Sequence, residues 1–165
     1  MDEKILDTNM DEITEVNEEL EVDKQTDLNA HNKISRYKKR EQTFLIVFES
    51  LFSDTSVEEI ADSFTESTAQ FYSDEAVKTA GLIQELHEEL DAEISSHLTK
   101  GWRINRISKI SLAVLRVAVY EIKYCEEIPV SVSINEAVEL AKKYSVTEDA
   151  SFVNGLLGSL VKDKQ

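Results

Sequence analysis

Cysteine, proline and glycine are scarce in this chain of 165 residues, at one, one and four. A single thiol, Cys125, excludes an intramolecular disulfide and fits a reducing cytoplasm. So few turn residues argue against an all-β fold, which needs many tight turns. No apolar run reaches the roughly 18 residues of a membrane span. The N-terminus has no basic-then-apolar leader, so secretion is not implied. His31, His87 and His97 stand at no metal-ligand spacing with Cys125 and form no Ser/His/Asp arrangement; they read as solvated side chains. There is no Gly-rich phosphate loop. Paired carboxylates are so abundant that their presence selects nothing. The expectation is a non-enzyme with no metal and no cofactor.

Positive charge is also in short supply, with 18 Lys and Arg against 33 Asp and Glu and a formal net charge of −15. The imbalance is concentrated. Residues 1–30 hold eleven acids against Lys4 and Lys24, which leaves 16 basic and 22 acidic side chains in the other 135 residues. Residues 1–32 contain no aromatic side chain and too little apolar area to offset chain ordering, so they read as an acidic disordered tail. From Lys33 the apolar spacing becomes helical, and residues 33–165 read as one all-α domain of six to seven helices, in two halves of about 34–99 and 102–163.

Ile34, Tyr37, Glu41, Phe44, Phe48 and Leu51 recur at three and four, giving a first helix over about 34–52. Val57, Ile60, Ala61, Phe64, Thr68 and Phe71 give a second. Ser73 reads as an N-cap, and the stripe Leu82, Leu86, Leu90, Ile94 and Leu98 predicts one helix running to about residue 99, with Gly101 at a left-handed cap. The stretch ISLAVLRVAVYEIKY (110–124) is apolar nearly all round, as a buried central helix is. Ser133 and Glu136 are spaced as a capping box for the next helix, and Thr147, Glu148 and Asp149 open the last. Arg116 lies in the central helix and requires a partner, since an unpaired buried charge is very costly; Glu136 is the expected one and Glu139 the second choice. Asn154 is expected to satisfy neighbouring backbone, and Gly155 and Gly158 to be close-packing points.

Several blocks resemble the NusB family of bacterial transcription antitermination factors. REQTFLIVFESLF is similar to the family's first helix and AVLRVAVYEI to its central-helix motif. IPVSVSINEAVELAKKYSVTEDASFVNGLLGSL is similar to its C-terminal signature region, with LDAEISSHL and RINRISKISLAVLR between them in order. The likeness covers about residues 35–162. It implies two packed three-helix bundles that bind the boxA element of nascent ribosomal RNA as a single strand. The implied partners are NusE, a small-subunit ribosomal protein, and the RNA polymerase antitermination complex, with no membrane involved. The sequence departs from the family at three points. Ser145 stands where Gly is frequent, Ser151 where Lys is common, and Ser111 where an acid associated with the NusE contact is common.

The stretch SRYKKREQ (35–42) is where this acidic chain could hold an anion. Lys33, Arg36 and Arg40 share one helix face by spacing, Lys39 falls beside them and Lys38 further round. The free N–H groups of a helix start add fixed positive partial charge. Salt screens charges beyond a Debye length of about 8 Å, so the local patch matters more than the net charge. Five phosphate contacts on single-stranded RNA would give a log–log salt slope of roughly −3.5. Phe48 occupies the family's aromatic position, as a stacking platform or as core. The expected RNA-binding set is therefore Lys33, Arg36, Lys38, Lys39, Arg40 and Phe48. The other reading is a helical protein-interaction module with weak or lost RNA binding, its acidic tail competing for the basic helix start.

Overall fold

The computed structural model describes residues 35–164, so Lys33, His31 and the acidic tail lie outside the described residues. Among the described residues the apolar spacing is realised in seven α-helices: α1 (Arg36–Ser50), α2 (Val57–Thr68), α3 (Asp74–Glu85), α4 (His87–Ser96), α5 (Lys109–Tyr124), α6 (Val130–Tyr144) and α7 (Thr147–Lys162). A single 3₁₀ turn, Ile104–Arg106, lies between α4 and α5. Among the described residues there is no strand.

The central helix is α5, as its composition requires. Ala113, Val114, Leu115 and Val119 are completely enclosed, and α5 packs against α1, α4, α6 and α7. Burial of each such Val or Leu stabilises the fold by about 1.5–3 kcal/mol. Phe44 and Ile46 of α1, Ile83 of α3, Leu90 and Ile94 of α4, Leu140 of α6 and Leu157 and Leu160 of α7 complete the same core. Caps set several helix starts. Ser73 accepts from the backbone N–H of Ala76, and Ser56 forms a capping box with Glu59 that sequence reading passed over.

The expected single helix of residues 74–99 is two helices broken at Leu86. A spacing of four drifts about 40° per step around a helix of 3.6 residues per turn. Five leucine-type residues at that spacing therefore cannot share one face of a straight helix. The break at Leu86 (φ −91°, ψ 7°) lets Ile83 enter the core while Leu82 stays 37% exposed. The predicted capping box also shifts. Helix α6 starts four residues early, behind Pro129, whose φ of −56° is already helical. Ser133 is buried inside the helix and donates to Glu121 Oε2 at 2.6 Å.

Arg116 does not meet Glu136 or Glu139. Its Nε and Nη2 donate to the two carboxylate oxygens of Asp91 at 2.7 and 2.6 Å, tying α5 to α4. Glu139 instead pairs with Lys142 at 3.3 Å. Asn154 is exposed and makes no side-chain hydrogen bond among the described residues, lining a shallow groove with Ser151 and Lys142. Gly155 and Gly158 are not close-packing points, because a Cβ at either would meet nothing within 4 Å. Ser111 is completely buried, with its Oγ lacking a hydrogen-bond partner, so it presents no surface to another protein. Ser145 has an extended backbone that any residue adopts, and its hydroxyl donates to Asp149. His97 is not simply solvated, since its Nε2 lies 3.0 Å from Asp163 Oδ2.

Candidate nucleic-acid interface

The start of α1 carries the predicted cations, and the structure distributes them over two faces. One face borders a cleft of about 390 Å³, with Arg36, Lys39, Arg40 and Thr43 on one wall and Glu75, Thr79, Tyr120, Glu121 and Cys125 opposite. The other turns toward α6, where Lys38 and Glu41 approach Lys143 and Tyr144.

On the cleft face, Arg36 is exposed and enters no ion pair among the described residues. Lys39 is half-buried and bonded to the exposed carboxylate of Glu75. A pair of that exposure contributes little stability, and a phosphate can displace its carboxylate. Arg40 departs from the expectation of a shared solvent face. Its side chain is 6% exposed, its Nε donates to Glu121 Oε1 at 2.6 Å, and its Nη1 lies 3.8 Å from Glu136 Oε2. Glu121 also accepts from Ser133, so Arg40 joins α1 to α5 and α6 inside the protein. Burial followed by the nearby Glu127 and Glu121 carboxylates pushes the Cys125 thiol up, which leaves it a poor nucleophile.

On the other face, Glu41 is buried under Lys143 and Tyr144, which donate to its Oε1, the tyrosine at 2.7 Å. Burial pushes the Glu41 carboxyl up. The bonds from Lys143 and Tyr144 and the charges of Lys143 and Lys38 outweigh it and hold the group below the usual carboxylate range. Burial, then the bond to Glu41, pushes the Tyr144 phenol up to about 12. Lys38 lies 3.6 Å from Glu41 Oε2 and keeps 58% of its side chain exposed. The Lys143 ammonium sits 6.0 Å from the Tyr37 ring centroid and 5.4 Å from that of Tyr144. An aromatic series runs on from there. Tyr144 to Phe44 is 5.0 Å, Phe44 to Phe48 is 6.1 Å, and Phe48 to Phe52 is 5.1 Å between centroids. Phe48 is partly buried against the core, whereas Phe52 is 64% exposed.

Exposed Arg36 and Lys38, half-exposed Lys143 and the open ring of Tyr37 thus lie around the start of α1, while Phe52 follows its other end, roughly 20 Å along the helix. Cations interleaved with aromatic faces are what single-stranded nucleic acid requires, phosphates on the former and bases on the latter. Sequence reading missed Lys143, Tyr37, Tyr144 and Phe52. Glu41 was the signal available for Lys143 and Tyr144. A lone acid in an apolar stripe needs a cation and a hydroxyl from elsewhere, and KKY (142–144) supplies both. No metal cluster of His, Cys, Asp and Glu occurs among the described residues, and no helix there is long and apolar enough to cross a membrane.

Comparison with known proteins bears on the same region. The chain is 39% identical over 133 residues to the transcription antitermination protein NusB of Clostridium novyi (strain NT), covering 78% of this chain and 99% of that one. It is 45% identical over 131 residues to the protein of the same name from Agathobacter rectalis, covering 75% and 97%. Among solved structures it superposes on T. maritima NusB with a TM-score of 0.67 at 32% identity, covering 78% of this chain and 92% of that one. A crystal structure of antitermination factors NusB and NusE in complex with dsRNA matches with a TM-score of 0.67 at 25% identity, over 79% and 99%. The pattern that defines the NusB family spans residues 37–162, from the tyrosine beside Lys143 to the last residue of α7, and the chain therefore belongs to the NusB family.

Proposed function

We propose that this chain is a non-catalytic, RNA-binding transcription antitermination factor of the cytoplasm. It binds boxA-type single-stranded RNA of ribosomal RNA operons together with NusE and promotes read-through by RNA polymerase. Family membership supports the reading. The observation that carries it to particular residues is the grouping of Arg36, Lys38 and Lys143 with the ring of Tyr37 at the start of α1. Arg40 is withdrawn into the core. Of the five expected contacts, Lys33, Arg36, Lys38 and a released Lys39 remain, for a salt slope of roughly −2.8 rather than −3.5. A slope that small fits a protein that needs NusE to hold RNA firmly.

The test is titration of a labelled boxA-like RNA at several salt concentrations, with and without NusE. The triple variant R36Q/K38Q/K39Q should weaken binding and flatten the salt dependence. Binding that is unchanged in the triple variant would overturn the site. Absence of RNA binding by the wild-type chain, alone and with NusE, would favour the second reading, a protein-interaction module. That reading draws on Ser151, exposed where relatives commonly carry Lys, and on the carboxylates facing Lys38, Lys39 and Arg40.

A further inference from the structure

Residues 94–120 contain no acid at all, in a chain with 33. Five cations fall in that interval: Lys100, Arg103, Arg106, Lys109 and Arg116. Arg116 is consumed by Asp91, whereas the other four are exposed and enter no ion pair among the described residues. They lie in or beside the connector between α4 and α5. There the chain's one tryptophan, Trp102, is 58% exposed.

The connector is held in shape. A turn closes from Trp102 N–H to the Thr99 carbonyl at 2.9 Å, with Gly101 at φ +91° in the place that requires it. Ile104 and Ile107 pack on the core from the 3₁₀ segment. Arg103 and Arg106 are three apart across that 3₁₀ turn, where residues i and i+3 eclipse, so they share a side. With Trp102 and Asn105 they line a concavity of about 530 Å³. Asp149 bonds the hydroxyls of Ser108 and Ser145 and Asp163 lies against His97, and among the described residues neither comes within ion-pair distance of the connector's four cations.

Unpaired arginines beside an open indole, on a frame fixed by the core, match one ligand chemistry: phosphates flanking an unstacked base. An acidic peptide would account for the arginines but not for the bare ring of Trp102 among them. We propose that the Lys100–Lys109 connector is a second contact for single-stranded RNA, separate from the start of α1, with Arg103 and Arg106 on phosphates and a base stacked on Trp102. This rests on the RNA-binding reading above and adds a surface to it.

The single tryptophan makes the test direct. Full-length protein is titrated with the boxA-like RNA, alone and with NusE, while Trp102 emission and the anisotropy of a labelled RNA are followed together. RNA should quench the emission, and raised salt should restore it. R103Q/R106Q, both exposed and checked for folding by circular dichroism, should reduce the salt slope by about 1.4, the share of two phosphates on a single strand. W102A should weaken binding about tenfold and W102F should recover most of it, as stacking requires. Anisotropy that reports binding while the tryptophan stays silent and the slope is unaltered would overturn the connector alone. No binding by the wild type would overturn the connector and the α1 site together. Emission that answers to NusE without RNA, and not to RNA, would assign the surface to a protein partner and overturn the RNA assignment.

Discussion

Replacing Arg40 by alanine separates a structural cation from an RNA-binding one. Arg40 and Glu121 are 6% and 9% exposed, with the guanidinium Nε 2.6 Å from the carboxylate. Removing the arginine leaves Glu121 charged in the interior with only Ser133 to bond it, and deprives Glu136 of its nearest cation. Breaking a buried pair in this way costs about 3–5 kcal/mol. That is a large share of the roughly 5–15 kcal/mol that holds a domain together. With a urea m-value near 2 kcal/mol per molar, the unfolding midpoint should fall by about 1.5–2.5 M. The double variant R40M/E121M, which removes both charges, should recover to within about 2 kcal/mol of the wild type, because an apolar replacement of a buried pair is often near neutral and the remaining cost is the lost bond of buried Ser133. RNA affinity per folded molecule should be the same in the double variant and the wild type. An R40A protein that keeps its urea midpoint within about 0.5 M yet loses RNA binding would refute the reasoning and return Arg40 to the RNA-binding set.

Three further outcomes follow from the same contacts. The Glu41 carboxyl is held low, so its stabilisation is complete above the ordinary carboxylate pKa near 4.5 and is lost as pH falls through the lowered value. E41Q should therefore be less stable at pH 7 and lose less below pH 4.5, and parallel midpoint-against-pH curves for the two proteins would contradict this. Ser111 has a fully buried hydroxyl with no partner, so S111A should raise stability by about 0.5–1 kcal/mol in urea unfolding, where a loss of that size would mean the hydroxyl is bonded after all. Gly155 faces open space in mid-helix, so G155A should gain up to about 1 kcal/mol and raise the thermal midpoint, whereas a close-packing glycine would make the same change destabilising.

The helices were legible where a sequence pattern alone decides them. The all-round apolar run of α5 could only be central, and Ser73 could only cap. Leu86 was misjudged because five residues at a spacing of four suggest continuity until their 40° drift is followed around the axis. Ser133 and Glu136 had the correct letters for a capping box, but a buried carboxylate 12 residues back competed for the serine and won. The partners of Arg116 and Arg40 were beyond sequence reading for a plainer reason. Asp91 and Glu121 are 25 and 81 residues away, and many other acids were equally available in so acidic a chain. The site was half legible, since the cations were visible and the carboxylates folded against them were not.

That asymmetry bears on how an acidic protein can attract a polyanion. Counting Lys and Arg along α1 gives four, yet three of them face a carboxylate within an ion-pair distance, Glu41, Glu75 or Glu121. Attraction depends on what remains after folding has paired the charges, and the pairs differ in kind. The Lys39–Glu75 pair is exposed and exchangeable, so a phosphate competes with the carboxylate at little cost. The Arg40–Glu121 pair is enclosed, so no phosphate reaches it without opening the core. Residues 94–120 represent the opposite case, in which four of five cations remain because folding brings no acid of the described residues within ion-pair distance of them. On this argument acid placement, rather than the number of bases, sets where the surface is positive. Introducing one acid beside Arg103, as in N105D, should then weaken RNA binding more than adding one to the exposed acidic face at Glu58, although both change the net charge by the same amount. Equal effects of the two, read by the same salt titration, would mean that long-range charge governs and that the local pairing of each cation does not.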